Sequence, residues 1–165
     1  MEQKEVEHTV NVLKSAKQAL LSKDAFGLNN LSNQKIHTAS SAQDIESITL
    51  IIILYALSKI VERRDSLKIP RWDIFVKRIN SFFDLAIKAL IENNQKKYRD
   101  YILRTKTSLE SLPINLKSYI KEILKKASIN KAFHIYEHGL SMGQTAKLLG
   151  LTQWELLEYT GQRTP

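Results

Sequence analysis

The chain has 165 residues, of which 43% are hydrophobic, so it can form one domain with a substantial core. Its lack of cysteine excludes disulfides, thiolate metal sites and cysteine nucleophiles, and its five glycines and three prolines are few, which favours long helices over a sandwich or barrel. The formal net charge of +8 points to an anionic partner, because a basic surface attracts nucleic acids and other polyanions.

The first part of the chain predicts an amphipathic helix followed by a polar connection. Met1 to Glu7 is acidic and polar rather than apolar like a secretory signal, so we expect a cytoplasmic protein. Apolar residues at spacings of three and four predict the helix over 2–22. Gly27 and the Asn29-Asn30 pair act as helix breakers and predict a connection over 23–33, with a short helical turn within 33–40.

The segment 33–44 is the densest cluster of small polar groups in the sequence. It contains His37, two serines and Asp44, which would allow a catalytic interpretation, but no second ligand or base lies at a suitable spacing from His37. Ser41 and Asp44 are instead predicted to cap the next helix, where a carboxylate is favourable at the positive end of the helix dipole. We predict no catalytic residue, no metal site and no cofactor, and therefore no enzyme.

The most apolar element is predicted over 45–64. The run from Ile48 to Leu57 is almost unbroken, but it is shorter than the about 20 residues that span a membrane, and charged residues close it at Lys59 and Glu62. A helix that is apolar on all sides is expected at the centre of a fold, surrounded by other helices. We therefore predict a core helix and no membrane association.

Three further helices are predicted over 71–93, 95–111 and 115–126. Pro70 suits the first turn of the first of these, where its missing N–H costs nothing. Residues 59–131 contain eighteen Lys and Arg against eight Asp and Glu, a net charge of +10, whereas the segments before and after each have −1. The helix over 95–111 is predicted to bind polyanions through five residues: Lys96, Lys97, Arg99, Arg104 and Lys106.

The segment 127–165 predicts a helix-turn-helix domain that follows a bundle formed by 1–126. Its first helix is predicted over 127–138. Ser141 with Gln144, and Thr152 with Glu155, form capping boxes that begin the second and third helices.

The turn between these two helices has the residues that a sharp turn requires. Ala146 is small enough for the point where the helices cross, and Gly150 can adopt a positive φ. Leu151 is expected to plug the turn, Leu156 and Tyr159 to close the small core on one face, and Gly161 to end the last helix. The fold class is thus an all-α bundle of about six helices with a C-terminal helix-turn-helix.

The stretch from Ile135 to Leu157 resembles the helix-turn-helix of a family of small prokaryotic antitoxin-like proteins, and that of uncharacterised archaeal proteins that end in such a domain. The shared pattern is an acidic-glycine-small turn, the spacing of Ala146 and Gly150, and a tryptophan-led final helix. The resemblance covers residues 129–161, about a fifth of the chain. It implies a regulatory or DNA-binding role and nothing about residues 1–126.

Two functions are compatible with this motif. We expect first a DNA-binding transcriptional regulator in which Thr152 and Gln153 read base edges beside Trp154, with phosphate-contacting lysines nearby: Lys125, Lys126, Lys131 and Lys147. The alternative is an antitoxin-like protein-interaction module that docks through the face of Trp154 and Leu157, since two apolar residues do not suit a polar groove and Glu158 repels phosphate. A homodimer is a further hypothesis.

Overall fold

The computed structural model describes residues 1–38, 45–129 and 141–159, and every regular element in these ranges is an α-helix, which confirms the all-α class. These described ranges contain nine helices: α1 Gln3–Leu21, α2 Ala25–Thr38, α3 Ile45–Glu62, α4 Arg64–Leu67, α5 Trp72–Ile91, α6 Gln95–Glu110, α7 Leu116–Ile129, α8 Met142–Leu149 and α9 Gln153–Leu157. The helices predicted over 2–22, 45–64, 71–93 and 95–111 are confirmed to within two residues at each end.

Helix α2 corrects the prediction of a connection over 23–33. Asp24 begins the helix, because its side chain accepts a hydrogen bond from the backbone N–H of Gly27 at 2.9 Å. A Cβ at position 27 would lie 2.4 Å from that carboxylate, so the glycine makes room for the cap rather than breaking the helix. Packing against α3 then outweighs the weak helix propensity of the asparagines, and the Ser32 hydroxyl donates to the Ile51 carbonyl at 3.0 Å.

The helix count also differs from the prediction of about six. The described residues up to 129 contain seven helices, because α2 and the single turn of α4 lie where connections were expected. After α4, Lys68 and Arg71 both adopt left-handed backbone angles, with φ of 49° and 57°, and Arg71 is the N-cap residue of α5. Helix α7 continues to Ile129, past the predicted domain boundary at 126. The predicted Ser41–Asp44 cap and the first motif helix beyond 129 lie outside the described residues.

Helix α3 is the centre of the core, as predicted. All side chains from Ile48 to Leu57 are buried, and α2, α6 and α7 pack around them. Of the described helices, none combines the length and the apolarity that crossing a membrane would require.

The helices that precede and follow α3 also pack in pairs. Helices α1 and α2 form one pair and α5 and α6 another, and α1 also packs on α5. Each pair turns through a non-glycine residue in the left-handed region, Lys23 with φ 56° and Asn93 with φ 55°. Helix α7 packs on α3, where the rings of Tyr55 and Tyr119 meet edge to face at 5.8 Å. The described chain ends with α8 and α9, which pack on each other, and Glu155 of α9 forms ion pairs with two lysines of α7.

Candidate functional site

Helices α8 and α9 begin with the two capping boxes that the sequence predicts. The backbone N–H of Gln144 donates to Ser141 Oγ at 3.1 Å, and the N–H of Ser141 donates to Gln144 Oε1 at 2.9 Å. The same reciprocal pair joins Thr152 and Glu155 at 3.0 and 3.1 Å. Because each box satisfies two backbone donors, both helix starts are fixed by local sequence.

The turn between α8 and α9 is a Schellman motif. Gly150 has φ 75°, and the N–H of Leu151 donates to the Ala146 carbonyl at 2.9 Å. Ala146, Leu151 and Leu156 are buried, as predicted, and Tyr159 is half-buried. The predicted extension of the last helix towards Gly161 is wrong, because α9 ends at Leu157 and the Tyr159 N–H donates to the Leu156 carbonyl in a tighter turn. Gly161 itself lies outside the described residues.

The first turn of α9 forms the outer surface of this helix pair. Trp154 is 80% exposed, and Thr152 and Gln153 are also exposed. The Gln153 side chain lies across the start of α8, where a Cβ on Gly143 would stand 2.8 Å from Gln153 Nε2. Gly143 therefore leaves the space that this glutamine occupies.

Glu155 connects α9 to α7, which the sequence reasoning missed. Its carboxylate pairs with Lys117 Nζ at 3.1 Å and with Lys121 Nζ at 2.7 Å. The Lys121 ammonium, the backbone N–H of Thr152 and the Lys117 ammonium together lower the pKa of Glu155 to about 2. Glu155 in turn raises the pKa of Lys121. A signal was available in the sequence, since Lys117 and Lys121 are four residues apart and share one face of α7.

The lysines predicted to contact phosphate lie on two separate helices. Lys125 of α7 is exposed, whereas the Lys126 ammonium lies over the Tyr55 ring at 4.7 Å from its centroid. That ring's hydroxyl donates to Glu122, and burial followed by this contact raises the pKa of Tyr55. Lys147 of α8 is exposed and lines a cleft that faces α6. Lys131 lies outside the described residues.

The five predicted polyanion-binding residues of α6 are in different environments. Lys96 and Lys97 are exposed and make no ion pair within the described ranges. Arg99 instead pairs with the buried Glu46 at 3.4 Å, and Arg104 pairs with Asp100 at 3.2 Å.

Lys106 differs most from its predicted role as a surface cation. Its side chain is 7% exposed and donates to Glu110 at 2.7 Å. Lys106 is four residues after Ile102 and three before Leu109, both buried, so it belongs to the inner face of α6. The surface available to a polyanion on α6 is thus smaller than its lysine and arginine content suggests.

Comparison of the chain with protein-family models, with curated proteins and with solved structures found no match. Among the described residues, no group of three or more His, Asp or Glu is placed to hold a metal ion. The resemblance to antitoxin-like proteins stays a prediction.

Proposed function

We propose that α8 and α9 are the last two helices of a helix-turn-helix, and that the protein is a DNA-binding transcriptional regulator. In such motifs the final helix lies in the major groove and its first residues contact base edges. The observation that supports this assignment is the exposed first turn of α9, with Thr152, Gln153 and Trp154 side by side. Gln153 suits this role because its side chain is exposed and its amide can bond to adenine in a bidentate manner.

Attraction to phosphate would come mainly from the helical bundle. Residues 141–159 contain one lysine and two glutamates, a net charge of −1. Among the described residues of the bundle, the exposed lysines that lie nearest in sequence and form no ion pair are Lys125 on α7 and the pair Lys96 and Lys97 on α6. Phosphate contacts position a protein on DNA, and base contacts specify the sequence. We therefore propose that the bundle attracts the DNA backbone and that α9 recognises the bases.

The test is selection of bound sequences from a random pool of DNA duplexes, with wild type and Gln153→Ala compared at one salt concentration. We expect Gln153→Ala to lose preference at one base pair, a loss of about 1–3 kcal/mol in discrimination. Gln34→Ala is the matched control, because Gln34 is an exposed glutamine on α2. A wild-type pool without any preferred sequence, or a preference unchanged by Gln153→Ala, would refute the proposal.

A second candidate function, a protein-interaction module, is favoured by the exposure of Trp154. At 80% exposed, its ring lies in solvent beside the half-buried Leu157. Tryptophans of this kind become hot spots at the centre of protein interfaces, where truncation costs about 2 kcal/mol or more. In this case α9 would dock on a protein groove instead of DNA.

Trp154→Ala separates the two functions when it is compared with Phe26→Ala. Phe26 is 79% exposed on α2, so it controls for the loss of an exposed aromatic ring. DNA binding predicts that Gln153→Ala lowers sequence preference more than Trp154→Ala does. Protein binding predicts that Trp154→Ala reduces co-purification with a partner more than Gln153→Ala does. Phe26→Ala should behave as wild type in both assays.

A further inference from the structure

A cleft separates the second half of α6 from α8. Its volume is about 650 Å³, within the range of roughly 300–1,000 Å³ that small-molecule sites occupy. Helix α6 lines it with Leu103, Lys106 and Thr107, and α8 lines it with Lys147 and Leu148. The cleft lies where the helix pair meets the bundle and does not include Gln153 or Trp154 of the proposed DNA-binding turn.

Lys106 is the least expected residue in the wall of this cleft. Burying an ammonium is unfavourable unless its donors find acceptors. The Lys106 ammonium has three N–H donors. In the part of the chain that the structure describes, Glu110 is the acceptor of one of them. An ammonium with one carboxylate partner has donors left for a second anion.

The other groups in the cleft favour the same type of ligand. Lys106 and Lys147 supply two positive charges against the one negative charge of Glu110. The Thr107 hydroxyl can donate a further hydrogen bond, and two leucines, Leu103 and Leu148, supply apolar surface. The lining thus combines a positive net charge with apolar walls, as a site for an amphiphilic anion requires.

We propose that this cleft binds a small organic anion, whose carboxylate or phosphate is held by Lys106 and Lys147 and whose apolar part contacts Leu103 and Leu148. Such a ligand touches both α6 and α8, so it would strengthen the attachment of the helix pair to the bundle. The attachment already includes the pairing of Glu155 with α7. The site does not depend on whether α9 binds DNA or protein.

The test uses the full chain labelled with ¹⁵N, titrated at constant ionic strength with hexanoate, hexyl phosphate or uncharged hexanol. We expect saturable shifts of the backbone amides of 103–107 and 147–150 with the two anions and much weaker effects with hexanol. The tighter of the two anions identifies the charged group. Hexanol binding as tightly as the anions would overturn the role of the lysines.

Lys147→Gln is the decisive variant, because Lys147 is exposed and its loss should leave the fold intact. We expect anion affinity to fall by about tenfold, the effect of losing one charge-assisted hydrogen bond. Lys88→Gln, an exposed lysine of α5, is the control and should bind as wild type. Lys106→Met should abolish anion binding. If this substitution unfolds the chain, the anion affinity of Lys147→Gln is the test of the site. Unchanged affinity in Lys147→Gln, or shifts spread over many exposed lysines, would refute the site.

Discussion

Leu54→Ala tests whether α3 is the centre of the core. Leu54 is fully buried, in the middle of a helix surrounded by α2, α6 and α7. Removing about three buried carbon groups at ~0.8 kcal/mol each gives roughly 2.4 kcal/mol, and the cavity left behind raises this to about 3–5 kcal/mol. A loss of this size is a large fraction of the total stability of a small domain, about 5–15 kcal/mol.

Urea unfolding measures the effect as a shift in midpoint at constant m-value. Leu85→Ala on α5 is the matched control, because the same atoms are removed from a side chain that is 40% exposed. We expect the control to lose less than about 1 kcal/mol, since most surface substitutions have small effects. Equal losses in the two variants would refute the central position of α3, and a changed m-value would mean that the unfolding transition itself had altered.

Three further predictions concern the C-terminal helices and the basic surface. Gly150→Ala should cost about 1–2 kcal/mol in urea unfolding, because φ is 75° there and the strain remains although a Cβ meets no atom within 4 Å. The pKa of Glu155 is lowered to about 2 from 4.5, so its contribution to stability is present above pH 4.5 and is lost between pH 4.5 and 2. Glu155→Gln should therefore lower the melting temperature at pH 6. As the pH falls below 4.5, the melting temperature of this variant should fall less steeply than that of wild type, and an equally steep fall would contradict the pairing with α7. Reversing Lys96 and Lys97 to Glu should reduce the salt dependence of DNA binding by about one to two units of slope. Arg99 is left intact because it pairs with the buried Glu46. An unchanged slope would contradict a role for this surface, and so would an equal change on reversing Lys4 and Lys14, two exposed lysines of α1.

The features predicted correctly from sequence are those that depend on neighbouring residues. The Ser141 and Thr152 capping boxes join residues three apart, and Gly150 is needed by the turn itself. The central position of α3 could be predicted from its composition alone, because a helix that is apolar on all sides has no polar face to expose to water.

The features that sequence reasoning missed depend on distant contacts or on one overlooked spacing. Helix α2 has polar residues and a glycine, and its stability comes from α3, about 20 residues further along the chain, as the Ser32 bond to Ile51 illustrates. The Glu155 pairs join residues more than 30 positions apart. Lys106 could have been assigned to the inside of α6, because it continues the buried stripe of Ile102 and Leu109.

The charge of a segment and the charge that it presents to a partner are different quantities in this protein. The +10 of residues 59–131 includes Arg99, Arg104 and Lys106, which are paired with carboxylates, and Lys117 and Lys121, which hold Glu155. DNA releases counterions when a protein cation neutralises a phosphate, and a cation held by a carboxylate is less available to do so. The exposed, unpaired lysines should therefore contribute most to the salt dependence of binding.

Two lysines of α7 attach α9 to the bundle through their ion pairs with Glu155. With Lys117 and Lys121 pairing with Glu155, α9 is attached to the bundle through its inner face, and Trp154 is left exposed. Neutralising Glu155 should therefore loosen the position of the whole turn that includes Gln153. If α9 reads DNA, Glu155→Gln should weaken sequence preference although Glu155 touches no base, because an imprecisely held glutamine loses its bidentate geometry. A variant that melts at a lower temperature but keeps full sequence preference would show that α8 and the turn position Gln153 without the contact to α7.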